Sequence, residues 1–237
     1  MSIKKQIKNF WAERNKTLDL KDINTQSVCN LEENNELYNK KIRHEVEKVR
    51  NFTNGHYNKK SYILDIGCGI GFWSEFFSKD AAKIVGVDFS QECIDKAKLS
   101  ADRKKIFNVE FIQSNVESFF YSKCFFDLVW MSGILIYLDD ADLKLLLSNL
   151  QSMMKNGSII ILRDATSLHN ERFIINDKFS DELNLNYSAI YRTSHEYIDI
   201  FKSYNFFCKA NEDMFHDDEL NKRKETRLRI YKFELIK

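Results

Sequence analysis

The chain has 237 residues, 43% of them hydrophobic and 14% aromatic, with a formal net charge of +1. This is enough apolar matter for one α/β core, and so balanced a charge gives no field that would draw in nucleic acid or acidic lipid. Five cysteines (Cys29, Cys68, Cys93, Cys124, Cys208) fall without a C-x-x-C pair and no apolar run is long enough to span a bilayer, so a disulfide scaffold and a membrane protein are not expected, and a reduced, cytoplasmic one is.

In chain order, residues 2–14 place Ile3, Ile7, Phe10 and Trp11 at helical spacing, and residues 36–52 do the same with Tyr38, Ile42, Val49 and Phe52. A polar stretch with Asn24, Thr25, Ser27, Asn30 and Asn34 separates them. The two apolar stripes predict a helical cap over residues 1–58, ahead of a main domain at 59–237. The open end of a sheet is the surface expected to bury them, as a lid or as plain packing. Residues 61–66 are an apolar run that reads as a buried strand, followed by Gly67, Gly69 and Gly71 and a helix-like pattern from Phe72. Residues 83–88 read as a second strand ending in Asp88, with Ser90 able to cap a helix carrying Ile94 and Ala97. Residues 108–116 form a third strand ending at Asn115 and Val116, and residues 126–133 a fourth. Asp139 and Asp140 precede a helix with Leu143, Leu146, Leu147 and Leu150, which Gly157 is expected to help end before a fifth strand through Leu162. Residues 163–192 then interrupt the strand–helix rhythm with polar and aromatic residues. Thr193 or Ser194 caps a helix with Tyr197, Ile198 and Phe201, and residues 206–215 and 228–236 read as two last strands.

Strand, glycine turn and helix make the first unit of a nucleotide-type binding fold. The glycines are not those of a dinucleotide fingerprint, whose third small residue would fall at Phe72, nor of a phosphate loop, which ends in Gly-Lys-Ser/Thr. An acid precedes them, as Asp65-x-Gly67-x-Gly69-x-Gly71. A carboxylate facing the turn repels phosphate and suits an ammonium group. Asp88, about 20 residues further on, is placed to grip a ribose diol.

These motifs, in this order over roughly residues 60–165, resemble the class I S-adenosylmethionine (SAM) methyltransferases. The resemblance implies an α/β, Rossmann-like, seven-stranded and mostly parallel sheet with helices on both faces and an N-terminal helical cap. It implies SAM lying across the C-terminal ends of strands one, two and four. Its methionine part would sit on Asp65, Gly67, Cys68, Gly69 and Gly71, with Cys68 a small loop filler and Trp73 either a wall or core. Asp88, Phe89 and Ser90 would take the ribose, and Asn115, where the family usually has Asp, would take the adenine with Val116. Met131 and Ser132 would reach SAM after the fourth strand. Base-modifying relatives carry a Pro-Pro-aromatic element there; this chain has no proline, and residues 131–135 read Met-Ser-Gly-Ile-Leu.

Methyl transfer is an in-line displacement in which alignment and exclusion of water supply most of the rate. A neutral amine needs no base, whereas a hydroxyl benefits from one. His169 and His195 are the candidate bases, although each can equally be structural. Arg163, Arg172 and Arg192 are forked donors suited to an anion, with Tyr137 and Tyr191 as further acceptor contacts. The expectation is an O-methyltransferase acting on a small, anionic, sugar- or nucleotide-linked metabolite. An amine N-methyltransferase, a protein or RNA methyltransferase, and a non-catalytic SAM-binding subunit are the alternatives. Lys222, Arg223 and Lys224 are flanked by Glu219 and Glu225 and read as a solvated link, so neither nucleic acid nor membrane is an expected partner. No metal site is expected, and the oligomeric state is open.

Overall fold

A computed structural model describes residues 5–7, 9–11, 35–180, 185–217, 219–221 and 223–237. In chain order the elements are α1 (Asn35–Thr53), β1 (Tyr62–Ile66), α2 (Phe72–Ser78), β2 (Lys83–Asp88), α3 (Gln91–Arg103), β3 (Val109–Gln113), β4 (Phe126–Ser132), α4 (Asp140–Met153), β5 (Met154–Ser167), β6 (Phe173–Ser180), β7 (Leu185–Tyr191), α5 (Ser194–Lys202), β8 (Phe206–Asp213) and β9 (Thr226–Leu235).

Seven strands form one sheet in the order β3-β2-β1-β4-β5-β9-β8. Pairing is parallel from β3 to β5, and β9 runs antiparallel to both β5 and β8. The central strands are apolar on both faces because helices cover both. Along β1 the side chains alternate: Leu64 and Ile66 pack with Leu146 and Leu150 of α4 and Phe201 of α5, while Ile63 packs with Phe77 of α2 and Val49 and Phe52 of α1. The chain leaves β1 toward β3 and returns to β4 on the other side. The C-terminal ends of β1 and β4 therefore open a crevice where the strand order reverses.

The helix ends follow from short polar signals. Ser90 caps α3 by accepting from Cys93 N–H, Asp139 caps α4 by accepting from Asp142 N–H, and Thr193 with Glu196 forms a reciprocal capping box on α5. Gly157 does not end α4. The helix stops at Met153, β5 begins at once, and Gly157 (φ +80°) lies in β5 where the register with β4 slips.

The expectation that both N-terminal stripes bury at the open end of the sheet is half met. Ile7, Phe10 and Trp11 lie in the helical residues 5–7 and 9–11 and pack there, against Ile136, Tyr187 and Tyr191. Helix α1 instead packs on a face of the sheet, against Ile63, Leu128 and Trp130. Ile3 and the polar stretch with Asn24, Thr25, Ser27, Asn30 and Asn34 fall outside the described residues. Residues 163–192, read as an interruption, are an extension of β5 followed by the antiparallel hairpin β6–β7. Among the described residues no helix is long and apolar enough to cross a membrane.

Candidate active site

The loop after β1 is held by its own backbone. The N–H groups of Gly67 and Cys68 both donate to Val87 O (2.8 and 3.0 Å), and Gly71 N–H donates to Cys68 O (2.9 Å). Gly67 sits at φ +72°, and a Cβ on it would stand 3.1 Å from the Ile134 side chain. Gly69 sits at φ +53°, and its N–H donates to Asp88 Oδ2 at 2.9 Å. Ser90 N–H donates to Asp88 Oδ1 at 3.0 Å. Both carboxylate oxygens are thus fixed by amides while each keeps a further accepting site. Burial raises the Asp88 pKa, and the amides of Ser90, Gly69 and Phe89 work against that rise.

Above this loop opens a cleft with about 820 Å³ of atom-free space, open solvent included. Gly67 and Gly69 form one side of it, Asp88 and Phe89 the next, then Asn115 and Val116, and Ser132 and Tyr137 complete the ring. These eight were all expected from sequence. Ile7 and Trp11 lie over it, and Cys93, Glu117, Ile134, Leu138 and Asp142 also line it. Those five were missed. Glu117 lies just past the Asn115 motif and Asp142 just past the Asp139 cap, so reading each motif one turn further along the chain finds both.

Other expected cofactor contacts lie behind the cleft. Asp65 is 2% exposed and accepts the Ser74 hydroxyl at 2.6 Å, so it braces α2 and does not face an ammonium group. Burial pushes its pKa up to about 7, against the Ser74 hydrogen bond. Trp73 packs on Trp130 (ring centroids 4.7 Å apart) in the same core cluster as α1. Met131 is fully buried between its neighbours in the sheet. Ser90 is spent on capping α3, Gly71 opens α2, and Cys68 is a buried thiol of the loop.

The acceptor residues differ more from expectation. His169 is exposed beyond the end of β5, and His195 is exposed in the first turn of α5; neither lines the cleft. Arg163 donates to Glu45 of α1 and to Ser132 Oγ (3.1 Å), which makes it a support of the cleft wall. Arg172 bridges Asp140 (2.8 Å) and Glu196. Arg192 is fully buried and donates to Leu135 O, Leu138 O and Asp140. Burial would raise the Asp140 pKa, but the two guanidiniums outweigh it and hold the carboxyl below its ordinary value. Tyr191 is 1% exposed, one layer behind Tyr137, sharing a 2.8 Å hydrogen bond with Tyr187. The arginines were misread because forked donors satisfy carbonyls and carboxylates of the fold as readily as those of a ligand.

The residues present fit SAM. A carboxylate with two aligned oxygens suits a ribose diol, glycine backbone lets a ligand approach closely, and the Asn115 amide offers a base-edge partner. Among the described residues no group of three His, Cys, Asp or Glu is placed to hold a metal ion.

Residues 63–157 match the family described as "Methyltransferase domain". The probable methyltransferase ltbC of Aspergillus luteorubrus is 32% identical over 120 residues, 47% of this chain and 42% of that protein. The ubiquinone biosynthesis O-methyltransferase of Coxiella burnetii is 30% identical over 103 residues, 44% of this chain and 40% of that one. The match therefore spans about two-fifths of the length of these curated relatives. Among solved structures, the geranyl diphosphate C-methyltransferase of Streptomyces coelicolor A3(2) superposes with a TM-score of 0.71 over 98% of both chains at 13% identity, a likeness of fold alone. The matched stretch, residues 63–157, is the one whose strand ends build the floor of the cleft, and over it the chain is similar to the methyltransferase-domain family.

Proposed function

We propose that the chain transfers a methyl group from SAM to a small-molecule acceptor with an apolar or aromatic body and no net negative charge. The observation that carries this is the charge of the cleft. Its described lining holds the carboxylates of Asp88, Glu117 and Asp142 and no lysine, arginine or histidine. The three arginines expected to meet an anion are each bonded to carboxylates or carbonyls of the fold. An anionic acceptor is therefore the weaker reading.

When bound, SAM supplies a methyl group on a positively charged sulfur, open to attack by a nucleophile. Asp88 would hold the ribose, its oxygens aimed by Gly69 and Ser90. Asn115 and Val116 would take the adenine edge. The backbone of the Gly67–Gly69 loop and the Ser132 hydroxyl would meet the methionine part. Ile7, Trp11 and Tyr137 would exclude water and align the acceptor, which is where most of the rate arises in such a displacement. Neither His169 nor His195 reaches the cleft, so a neutral amine, which needs no base, is the first choice of nucleophile. A second reading, an uncharged hydroxyl acceptor, is favoured by the sequence likeness to the ubiquinone biosynthesis O-methyltransferase.

Transfer of labelled methyl from SAM should be measured on two matched panels. One contains tyramine, phenethylamine and catechol; the other contains 4-hydroxybenzoate, phosphotyrosine and a sugar phosphate. Label is expected in the first panel. Label confined to the second would overturn the charge argument.

A further inference from the structure

We propose that Arg192 and Asp164 are positioning residues of the acceptor side. They would fix the turn after β4 that carries Ile134, Tyr137 and Leu138 into the cleft. The inference rests on the methyl-transfer reading above for its functional meaning, but its geometry stands independently.

The turn at Leu135–Tyr137 is a single 3₁₀ turn between β4 and α4. Its own hydrogen bonds are Tyr137 N–H to Ile134 O (3.0 Å) and Leu138 N–H to Leu135 O (3.2 Å). So short a piece of helix is marginal alone, because ordering its dihedrals costs more than so few bonds return. The missing restraint comes from outside. Asp164 Oδ2 accepts from Leu135 N–H at 2.8 Å. Arg192 Nη1 donates to Leu135 O at 2.9 Å, and Nη2 donates to Leu138 O at 2.8 Å and to Asp140 Oδ1 at 2.7 Å. Both backbone groups of Leu135 are thus held by side chains that belong to the far end of β5 and to the residue after β7.

Arg192 and Asp164 are both fully buried. Burying a charge is costly, and a buried ionic group is weak evidence of stabilisation. What a planar guanidinium supplies is geometry, because its rigid fork reaches two carbonyls and a carboxylate together, which a lysine ammonium does not do with the same directions. The clamp continues outward: Arg172 ties the same Asp140 to Glu196, a member of the α5 capping box. Neither Arg192 nor Asp164 lines the cleft, so they act through Tyr137 and Ile134. In a displacement reaction a wall misplaced by about 1 Å can cost on the order of a hundredfold in rate.

The test uses the full chain with Asp164→Asn, Arg192→Lys and Arg192→Met. Amide hydrogen exchange is followed in residues 133–142 and in β1 and β2, together with melting temperature and calorimetric affinity for S-adenosylhomocysteine. Asp164→Asn keeps size and fold, and should raise exchange at the turn about tenfold or more while leaving β1 and β2 unchanged. Arg192→Lys keeps the charge facing Asp140. It should spare the melting temperature more than Arg192→Met does, yet loosen the turn as much. Affinity for S-adenosylhomocysteine should stay within about threefold of wild type, since the loop and Asp88 are untouched. Unchanged exchange at the turn, or an equal rise in β1 and β2, would overturn the proposal, even if Arg192→Met fails to fold. If wild type does not bind S-adenosylhomocysteine while the turn loosens as expected, the methyl-transfer reading falls and the clamp remains.

Discussion

The loop after β1 lines the crevice and the stretch from the far end of β5 onward stands behind its wall, and the two use their residues in opposite ways. At the loop, the glycine backbone at Gly67 and Gly69 and the Asp88 carboxylate reach the cleft, while the amides of Gly67, Cys68, Gly69 and Gly71 hold the loop and aim that carboxylate. From the far end of β5 onward the long polar side chains turn back into the fold. Arg163, Arg172 and Arg192 serve Glu45, Glu196, Asp140 and two backbone carbonyls. A backbone-directed site is written in which residue allows a turn. A side-chain site depends on what else lies within reach of a flexible arm.

The contrast breaks most sharply at Gly69. Gly69→Val places a β-branched residue at φ +53° beside the amide that holds Asp88, which should lose S-adenosylhomocysteine binding in calorimetry and destabilise the fold by only about 1–2 kcal/mol. Intact affinity in a folded protein would remove the loop from the site.

Asp65 sharpens the comparison by showing what sits behind the loop. Its folded-state pKa is raised to about 7 from an ordinary 3.8, mainly by burial. Between about pH 4 and pH 7 the folded chain therefore holds a proton that the unfolded chain has released. Stability from this group is complete below the lower value and is lost as pH rises through the upper one. Asp65→Asn should remove up to about 4 kcal/mol of that dependence, at about 1.36 kcal/mol per pKa unit, so its advantage over wild type grows from pH 4 to 7. Urea midpoints across that range measure it. Asp164, also raised to about 7 by burial, leaves a slope of the same sign in the variant. A parallel offset between the two curves would mean that Asp65 titrates normally.

The smallest effect is expected after β5. His169→Ala and His195→Ala should each change stability by less than about 0.5 kcal/mol and leave turnover of whichever panel acceptor is labelled unaltered, since both rings are exposed and off the cleft. A drop in turnover of about a hundredfold or more with unchanged affinity for S-adenosylhomocysteine would restore the general base.

The sequence alone determined the sheet and the cofactor side of the cleft. Runs such as residues 61–66 and 83–88 are short and mostly apolar, as a covered parallel strand requires, and the glycines follow the first and Asp88 ends the second at short, fixed offsets. Local spacing controls both features, so the order β1-loop-α2-β2 is legible without a fold in hand. Tertiary structure decided the rest. Tyr187 and Tyr191 become a wall for the N-terminal helix only because hairpin β6–β7 lies over the end of the sheet. Trp73 and Met131 are adjacent to cofactor motifs but point into the core, since neighbouring positions on strand and helix face different ways. Whether a guanidinium meets a ligand or a carbonyl is settled by partners distant in sequence: Arg192 lies 57 positions from Leu135 and 52 from Asp140, and only the folded sheet brings them within hydrogen-bond reach.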